Sequence, residues 1–190
     1  MRTLIAVSLA FLTLPHPAPD ELVQLDDCIH KRFLDRTSFG MSRILPRQYH
    51  GVRMFQPENA TEGEVVDRLQ QKGYQVALFL AGRNVQFPIS GLAPVRYRVQ
   101  GPAYITRIPK PEELPSAETL LADSRAALTA FESSDGYDIR KGDWTVSLRP
   151  LRASNATCVQ CHNGPAASNV KIGDPLGVAM YVYKRGANSY

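Results

Sequence analysis

Apolar residues at helical spacing predict two helices in the first half of the chain. The first helix covers about residues 20–34, and Asp20 is its expected N-cap. The apolar face of this helix is formed by Leu22, Leu25, Ile29 and Phe33. The second helix is predicted to start at the capping-box pair Thr61 and Glu64 and to end at Gly73.

Short apolar runs predict strands in the middle and last parts of the chain. Residues 75–81 form an apolar run between two glycines, which is typical of a buried strand. Residues 95–99 alternate Val or Tyr with Arg, which is the pattern of a half-exposed strand. The other predicted strands cover residues 85–89, 104–108, 144–148 and 176–183.

A third predicted helix lies between the strands. It begins at Ser116 and ends near Ser134, before Gly136. Its apolar stripe consists of Ala117, Leu120, Leu121, Leu128 and Phe131. The order of helices, strands, a helix and further strands predicts an α+β fold.

The N-terminus has the pattern of a secretory signal. A positive start at Arg2 is followed by an apolar run at residues 4–14 and then by a proline-rich break. We expect residues 1–19 to be a signal peptide and residues 20–190 to form one exported domain, periplasmic in a bacterium. An uncleaved anchor and a buried N-terminal helix are the alternatives. Because the rest of the chain has no run of 18 apolar residues, we expect no membrane span in the mature chain.

Composition and charge narrow the class of protein only slightly. The 190 residues are 44% apolar and 21% charged, which is typical of a globular protein. The 22 basic and 18 acidic residues give a net charge of +4. A charge of this size does not by itself indicate nucleic-acid binding, so we predict no nucleic-acid partner.

The spacing of two cysteines points to a specific chemistry. Cys158, Cys161 and His162 form the pattern C-x-x-C-H, the attachment sequence of c-type haem. Two thiols add to the two vinyl groups of one haem, and the imidazole that follows binds the iron. We therefore predict one covalent haem c on Cys158 and Cys161, with His162 as the proximal iron ligand. The flanking residues 155–157 and 163–167 are predicted as loop, so that this haem loop precedes the last strand.

Three other readings of the cysteine pair remain open. A zinc site needs four ligands, and no second Cys/His pair lies nearby in the sequence. A thioredoxin-like redox pair needs its C-x-x-C at the start of a helix after a strand. A structural disulfide is the third alternative. The export signal favours haem, because c-type haem is attached outside the cytoplasm.

The motif and its surroundings resemble the PAS-like c-type haem domains. The residues that carry the resemblance are 142–150, 158–163 and 171–183. This family includes standalone exported haem proteins and the sensor parts of bacterial signalling proteins. The resemblance implies an antiparallel sheet flanked by helices, with the haem packed on the sheet.

The sixth iron ligand has several candidates. In the PAS-like family a cysteine from an N-terminal helix can serve, and Cys28 lies on the first predicted helix. Met180 is a weaker candidate, because its alternation with two valines favours a core position. His30, His50 and an open or water-bound site are further alternatives. The candidates for pairing with the haem propionates are Arg96, Arg98, Arg149 and Arg152.

These features predict an electron carrier. One haem with two protein ligands passes single electrons, which requires a redox partner protein. The alternative is a haem-based redox or gas sensor that acts through a separate partner. Enzymatic turnover would need acid/base residues at the distal side of the haem, and the sequence contains no motif that we recognise for them. We therefore predict a protein that is not an enzyme.

Overall fold

The computed structural model describes residues 18–36, 44, 47–49, 52–83, 99–104, 113–163 and 169–186, with backbone alone at 47–49, 52–54 and 99–104. The predicted signal peptide, apart from its last two residues, lies outside the described residues, as do the predicted strand at 85–89 and residues 95–98 and 105–108. The elements of the described residues are α1 Asp20–Asp35, β1 Arg47–Tyr49, β2 Val52–Met54, α2 Ala60–Gln71, β3 Tyr74–Gly82, β4 Val99–Tyr104, α3 Ala117–Ala130, β5 Tyr137–Lys141, β6 Trp144–Arg152, α4 Ala156–His162 and β7 Pro175–Arg185.

Five strands form one antiparallel sheet in the order β4-β3-β7-β6-β5, and β1 pairs with β2 in a separate hairpin. The last strand of the chain is therefore the central strand of the sheet. It is buried on both faces over nine consecutive residues, as its apolar sequence predicts. The predicted α+β class is confirmed: the structure is an antiparallel sheet flanked by helices.

The two faces of the sheet carry separate apolar clusters. Alternate residues of β7 point to opposite faces, so Tyr181 and Met180 belong to different clusters. The cluster that contains Tyr181 packs against α1 and α2, and we call this the α1/α2 side. The cluster that contains Met180 packs against α3, and we call this the α3 side.

The first two helices have the predicted extents but different caps. Pro19, not Asp20, is the N-cap of α1, and its carbonyl oxygen accepts from the amide of Leu22 over 2.8 Å. In α2 the cap is Asn59 rather than Thr61, because Asn59 Oδ1 accepts from the amide of Glu62 over 2.9 Å. The predicted capping box was thus wrong by two positions, while the end of α2 at Gly73 is confirmed by a φ of 76° there.

The third helix and the edge strand β4 agree with the predictions in part. Ser116 caps α3 as predicted, and its hydroxyl accepts from the amide of Thr119 over 3.2 Å. The helix ends at Ala130, four residues earlier than predicted. The strand β4 covers the last residue of one predicted strand and the first residue of the next, and it runs through Pro102. A proline is tolerated there because β4 is an edge strand.

Among the described residues, no helix has both the length and the apolar character that a membrane crossing requires.

Candidate functional site

The C-x-x-C-H motif lies on a short helix. Residues 155–157 were predicted as loop, but the seven-residue helix α4 begins at Ala156 and ends at His162. Asn155 is its N-cap, and the Oδ1 atom of Asn155 accepts from the amide of Cys158 over 3.0 Å. The local sequence allows the helix because a capping side chain precedes it.

The two cysteines of the motif stand nearly one helical turn apart. Residues three apart in a helix are neighbours on one side, so both thiols point to the same side of α4. Cys158 is 6% exposed and belongs to the apolar cluster of the α1/α2 side, whereas Cys161 and His162 are half-buried. Cys28, Cys158 and Cys161 are all present as thiols.

The segment that carries α4 is closed at its base by backbone hydrogen bonds. The amide of Ala153 donates to the carbonyl of Asp174 over 2.9 Å, and the amide of Gly173 donates to the carbonyl of Ala153 over 2.7 Å. Arg152 Nη1 donates to the Gly173 carbonyl over 2.9 Å. Gly173 has a φ of +95°, which an L side chain rarely adopts. The stretch from Lys171 to β7 thus fixes where the motif leaves and rejoins the sheet.

The far end of α4 is tied to the same returning stretch by one side chain. Asn163 Nδ2 donates to the carbonyl of Val170 over 2.6 Å, and the amide of Val170 donates to Asn163 Oδ1 over 2.6 Å. Val170 is 2% exposed and is part of the α1/α2-side cluster. The end of the motif helix is therefore anchored to the core.

Cys28 lies on α1, as predicted, and is half-buried. It lines a groove of about 440 Å³ between α1 and the start of α2. The other lining residues are Lys31, Arg32, Asp35, Arg36, Glu58, Asn59, Thr61 and Glu62. Burial raises the pKa of the Cys28 thiol, and the carboxylates of Glu62 and Asp27 add to the increase.

The described residues contain no group of three or more His, Cys, Asp or Glu side chains arranged to hold a metal ion. Cys28 and the C-x-x-C-H motif are therefore not brought together as a compact metal site.

The structure separates Met180 from the motif. Its side chain is fully buried among apolar residues of the α3 side, whereas Cys158 packs on the α1/α2 side. The sheet itself therefore lies between Met180 and the cluster that holds the first motif cysteine.

His30 is engaged through both ring nitrogens. Nε2 lies 2.7 Å from the carbonyl oxygen of Pro150, and Nδ1 lies 3.0 Å from the carbonyl oxygen of Asp26. Carbonyl oxygens only accept, so both nitrogens carry protons. The pKa of His30 is raised to about 9, first by the Asp26 side chain, whose Oδ1 lies 3.4 Å from Nδ1. A protonated imidazole offers no lone pair to a metal. His50 lies outside the described residues.

The arginines proposed as propionate partners have other contacts. Arg152 donates to the carbonyls of Phe131 and Ser134, which follow α3, and also pairs with the carboxylate of Asp135. Arg149 Nε donates to the Ser147 hydroxyl over 3.1 Å. Arg96 and Arg98 lie outside the described residues.

The fit of the motif to a haem can be judged from its surroundings. Two thiols on one side of α4, nearly one helical turn apart, match the two attachment points of one haem. The apolar cluster that contains Cys158, with Leu151, Val170 and Leu176 among its members, suits the apolar body of a porphyrin. The residues present therefore fit covalent haem attachment at α4.

Sequence reasoning missed two asparagines that shape this site, Asn155 and Asn163. A signal for the first was present in the sequence. Asn-Ala-Thr occurs at residues 59–61 and again at 155–157, and each asparagine caps a helix. No local pattern marks Asn163, because its partner Val170 is seven positions away.

Comparison with family models, curated proteins and solved structures finds no match to this chain.

Proposed function

We propose that this chain is a c-type haem protein that carries single electrons. One haem c would be attached through Cys158 and Cys161, and His162 would be the proximal ligand of its iron. The observation that carries the proposal is the placement of both cysteines on one side of α4, directly followed by the histidine.

The surroundings of α4 support this assignment over a dithiol redox pair. In a thioredoxin-like pair the first cysteine opens the helix and is accessible to a partner disulfide. Here Cys158 is the third residue of α4, is 6% exposed and faces an apolar cluster. A bound haem supplies an iron that cycles between the ferrous and ferric states, while these residues hold it and exclude water.

A PAS-like arrangement is part of the proposal. The five-stranded antiparallel sheet with helices on both faces is compatible with it. The motif segment connects β6 to the central strand β7, and these two strands pair with each other. The signal-like N-terminus supports an exported protein with a separate redox partner protein.

Cys28 is the sixth ligand that we propose. Of the candidates with described side chains, Met180 faces the opposite side of the sheet from Cys158, and His30 has both ring nitrogens protonated. Cys28 lies on α1, which packs on the same side of the sheet as Cys158, although no motif residue lines its groove. Iron binding would have to remove the proton of the Cys28 thiol, whose pKa is raised by burial.

The experiment is an absorption spectrum of the protein produced with c-type haem maturation. The spectrum is recorded oxidised, reduced, and reduced under carbon monoxide. A low-spin spectrum that carbon monoxide does not change would support an electron carrier with two protein ligands. A clear shift would mean a displaceable sixth ligand and would favour the alternative function, a redox or gas sensor.

Covalent attachment is tested by substitution. Cys158→Ser and Cys161→Ser should each weaken retention of haem in acidified acetone, while Cys28→Ser, a matched change outside the motif, should leave retention intact. His162→Ala should alter the ligand field of the iron. A wild-type protein with no Soret band after maturation would overturn the proposed function.

A further inference from the structure

Asn163 makes two side-chain hydrogen bonds at the end of the motif helix. Its carboxamide donates to and accepts from the backbone of Val170, with 2.6 Å at both contacts. This pairing imitates the exchange of hydrogen bonds between two strands, because a carboxamide carries the same donor and acceptor as a peptide group. We call it the Asn163–Val170 clasp.

The clasp matters because α4 has little stability of its own. A helix of seven residues is far shorter than a peptide helix needs to persist in water. The backbone amide of Asn163 closes the last turn by donating to the carbonyl of Val159 over 2.9 Å. The side chain of the same residue then ties that turn to Val170, which is buried in the core.

His162 lies directly before Asn163 and inside this last turn. The direction of its Cα–Cβ bond is therefore set by a turn that the clasp joins to the core. At the other end of α4, Asn155 caps the first turn and bonds to the amide of Cys158. The two asparagines thus fix opposite ends of one helix, and only Asn163 adjoins the histidine.

We propose that Asn163 is a positioning residue for His162, setting the orientation of the imidazole towards the haem iron. The inference rests on the proposed function. It requires that loss of the clasp changes the electronic properties of the iron, whereas loss of the cap at Asn155 changes stability alone.

The matched pair Asn163→Ala and Asn155→Ala tests this. Both variants remove one carboxamide from an end of α4, and both should lower stability. In the haem-loaded protein, Asn163→Ala should shift the midpoint potential and change the g values measured by electron paramagnetic resonance. Asn155→Ala should keep both at the wild-type values.

A second substitution guards against a variant that fails to fold. Asn163→Asp retains the acceptor for the Val170 amide and loses the donor to the Val170 carbonyl, so it should change the g values of the iron as Asn163→Ala does. Equal potentials and g values in wild type, Asn163→Ala and Asn163→Asp would overturn the inference.

A measurement on the haem-free protein separates this inference from the proposed function. Hydrogen exchange of the Val170 amide should be slow in wild type and Asn155→Ala, and fast in Asn163→Ala. Fast exchange in wild type would refute the clasp, whatever the spectrum of the loaded protein. A slow exchange combined with a missing Soret band would instead refute haem attachment, and the positioning role with it.

Discussion

The phenol of Tyr181 donates a hydrogen bond to Oδ1 of Asp26 over 2.8 Å, and this bond joins β7 to α1 across 155 positions of the chain. Tyr181 is fully buried, and burial raises the pKa of its phenol well above the usual value. The same carboxylate oxygen lies 3.4 Å from Nδ1 of His30. Asp26 therefore fixes α1 to the sheet through a tyrosine of β7 and also holds the histidine that bonds to β6.

The Tyr181–Asp26 bond should contribute measurably to stability. We expect Tyr181→Phe to lower the free energy of unfolding by about 1–3 kcal/mol, because a hydrogen bond to a charged acceptor is lost inside the protein. Denaturant unfolding would measure this. In a double-mutant cycle with Asp26→Ala, the two losses should not add, since each variant removes the same bond. Additive losses would contradict the bond as an energetic link.

The His30 contacts predict a pH dependence of stability. The pKa of His30 is raised from 6.5 to about 9 in the folded protein, so the folded state binds the proton more tightly than the unfolded state. This contribution is complete below pH 6.5 and is lost as the pH rises through about 9. With partial exposure taken into account, it is on the order of 2 kcal/mol.

His30→Gln isolates this effect. Thermal unfolding between pH 6 and pH 9.5 should show a larger fall in stability for wild type than for the variant. The two proteins should have the same pH dependence above about pH 9, where His30 of the wild type has lost its extra proton. Parallel curves over the whole range would mean that His30 titrates normally.

Two candidate ligands of the iron can be compared directly. We expect Cys28→Ala to change the low-spin spectrum of the haem-loaded protein and to open the iron to carbon monoxide. Met180→Leu should leave the spectrum unchanged, because Met180 lies on the α3 side of the sheet. The substitution replaces one core residue by another of similar volume. Absorption spectra with and without carbon monoxide check both. A spectral change in Met180→Leu alone would reverse the assignment.

A close approach between the central strand β7 and its neighbour β3 predicts the effect of a small substitution. A Cβ atom at Gly177 would lie 2.7 Å from the carbonyl oxygen of Ala81, which belongs to the neighbouring strand β3. Gly177→Ala should therefore destabilise the protein by about 1–3 kcal/mol as the strands move apart. Denaturant midpoints would measure the change.

Gly63→Ala is the control for Gly177→Ala. Nothing lies within 4 Å of a Cβ at Gly63, which stands inside α2. This variant should be stabilised by up to about 1 kcal/mol, because alanine is the better helix former. Equal effects of the two substitutions would show that the approach of β7 to β3 is looser than the distance implies.

The elements that sequence reasoning located well are those whose periodicity is long and regular. The apolar face of α1 and the apolar runs of β3 and β7 are all buried as predicted. The caps were located less well. Thr61 and Asn59 are both acceptable cap residues two positions apart, and local chemistry alone does not choose between them. In the structure the cap is Asn59, which accepts from the amide of Glu62. The Glu62 carboxylate in turn accepts from the amide of Glu58.

In the candidate site too, local features were predictable from the sequence, whereas contacts between distant segments were not. The sequence by itself predicts haem attachment at Cys158, Cys161 and His162, because the spacing of a covalent motif is local. Only the tertiary structure decided that Met180 and Cys158 lie on opposite sides of the sheet, and that both ring nitrogens of His30 bond to backbone carbonyl oxygens. The physical reason is that these relationships depend on which strand pairs with which, and hydrogen bonds between distant segments leave no periodic trace in the sequence.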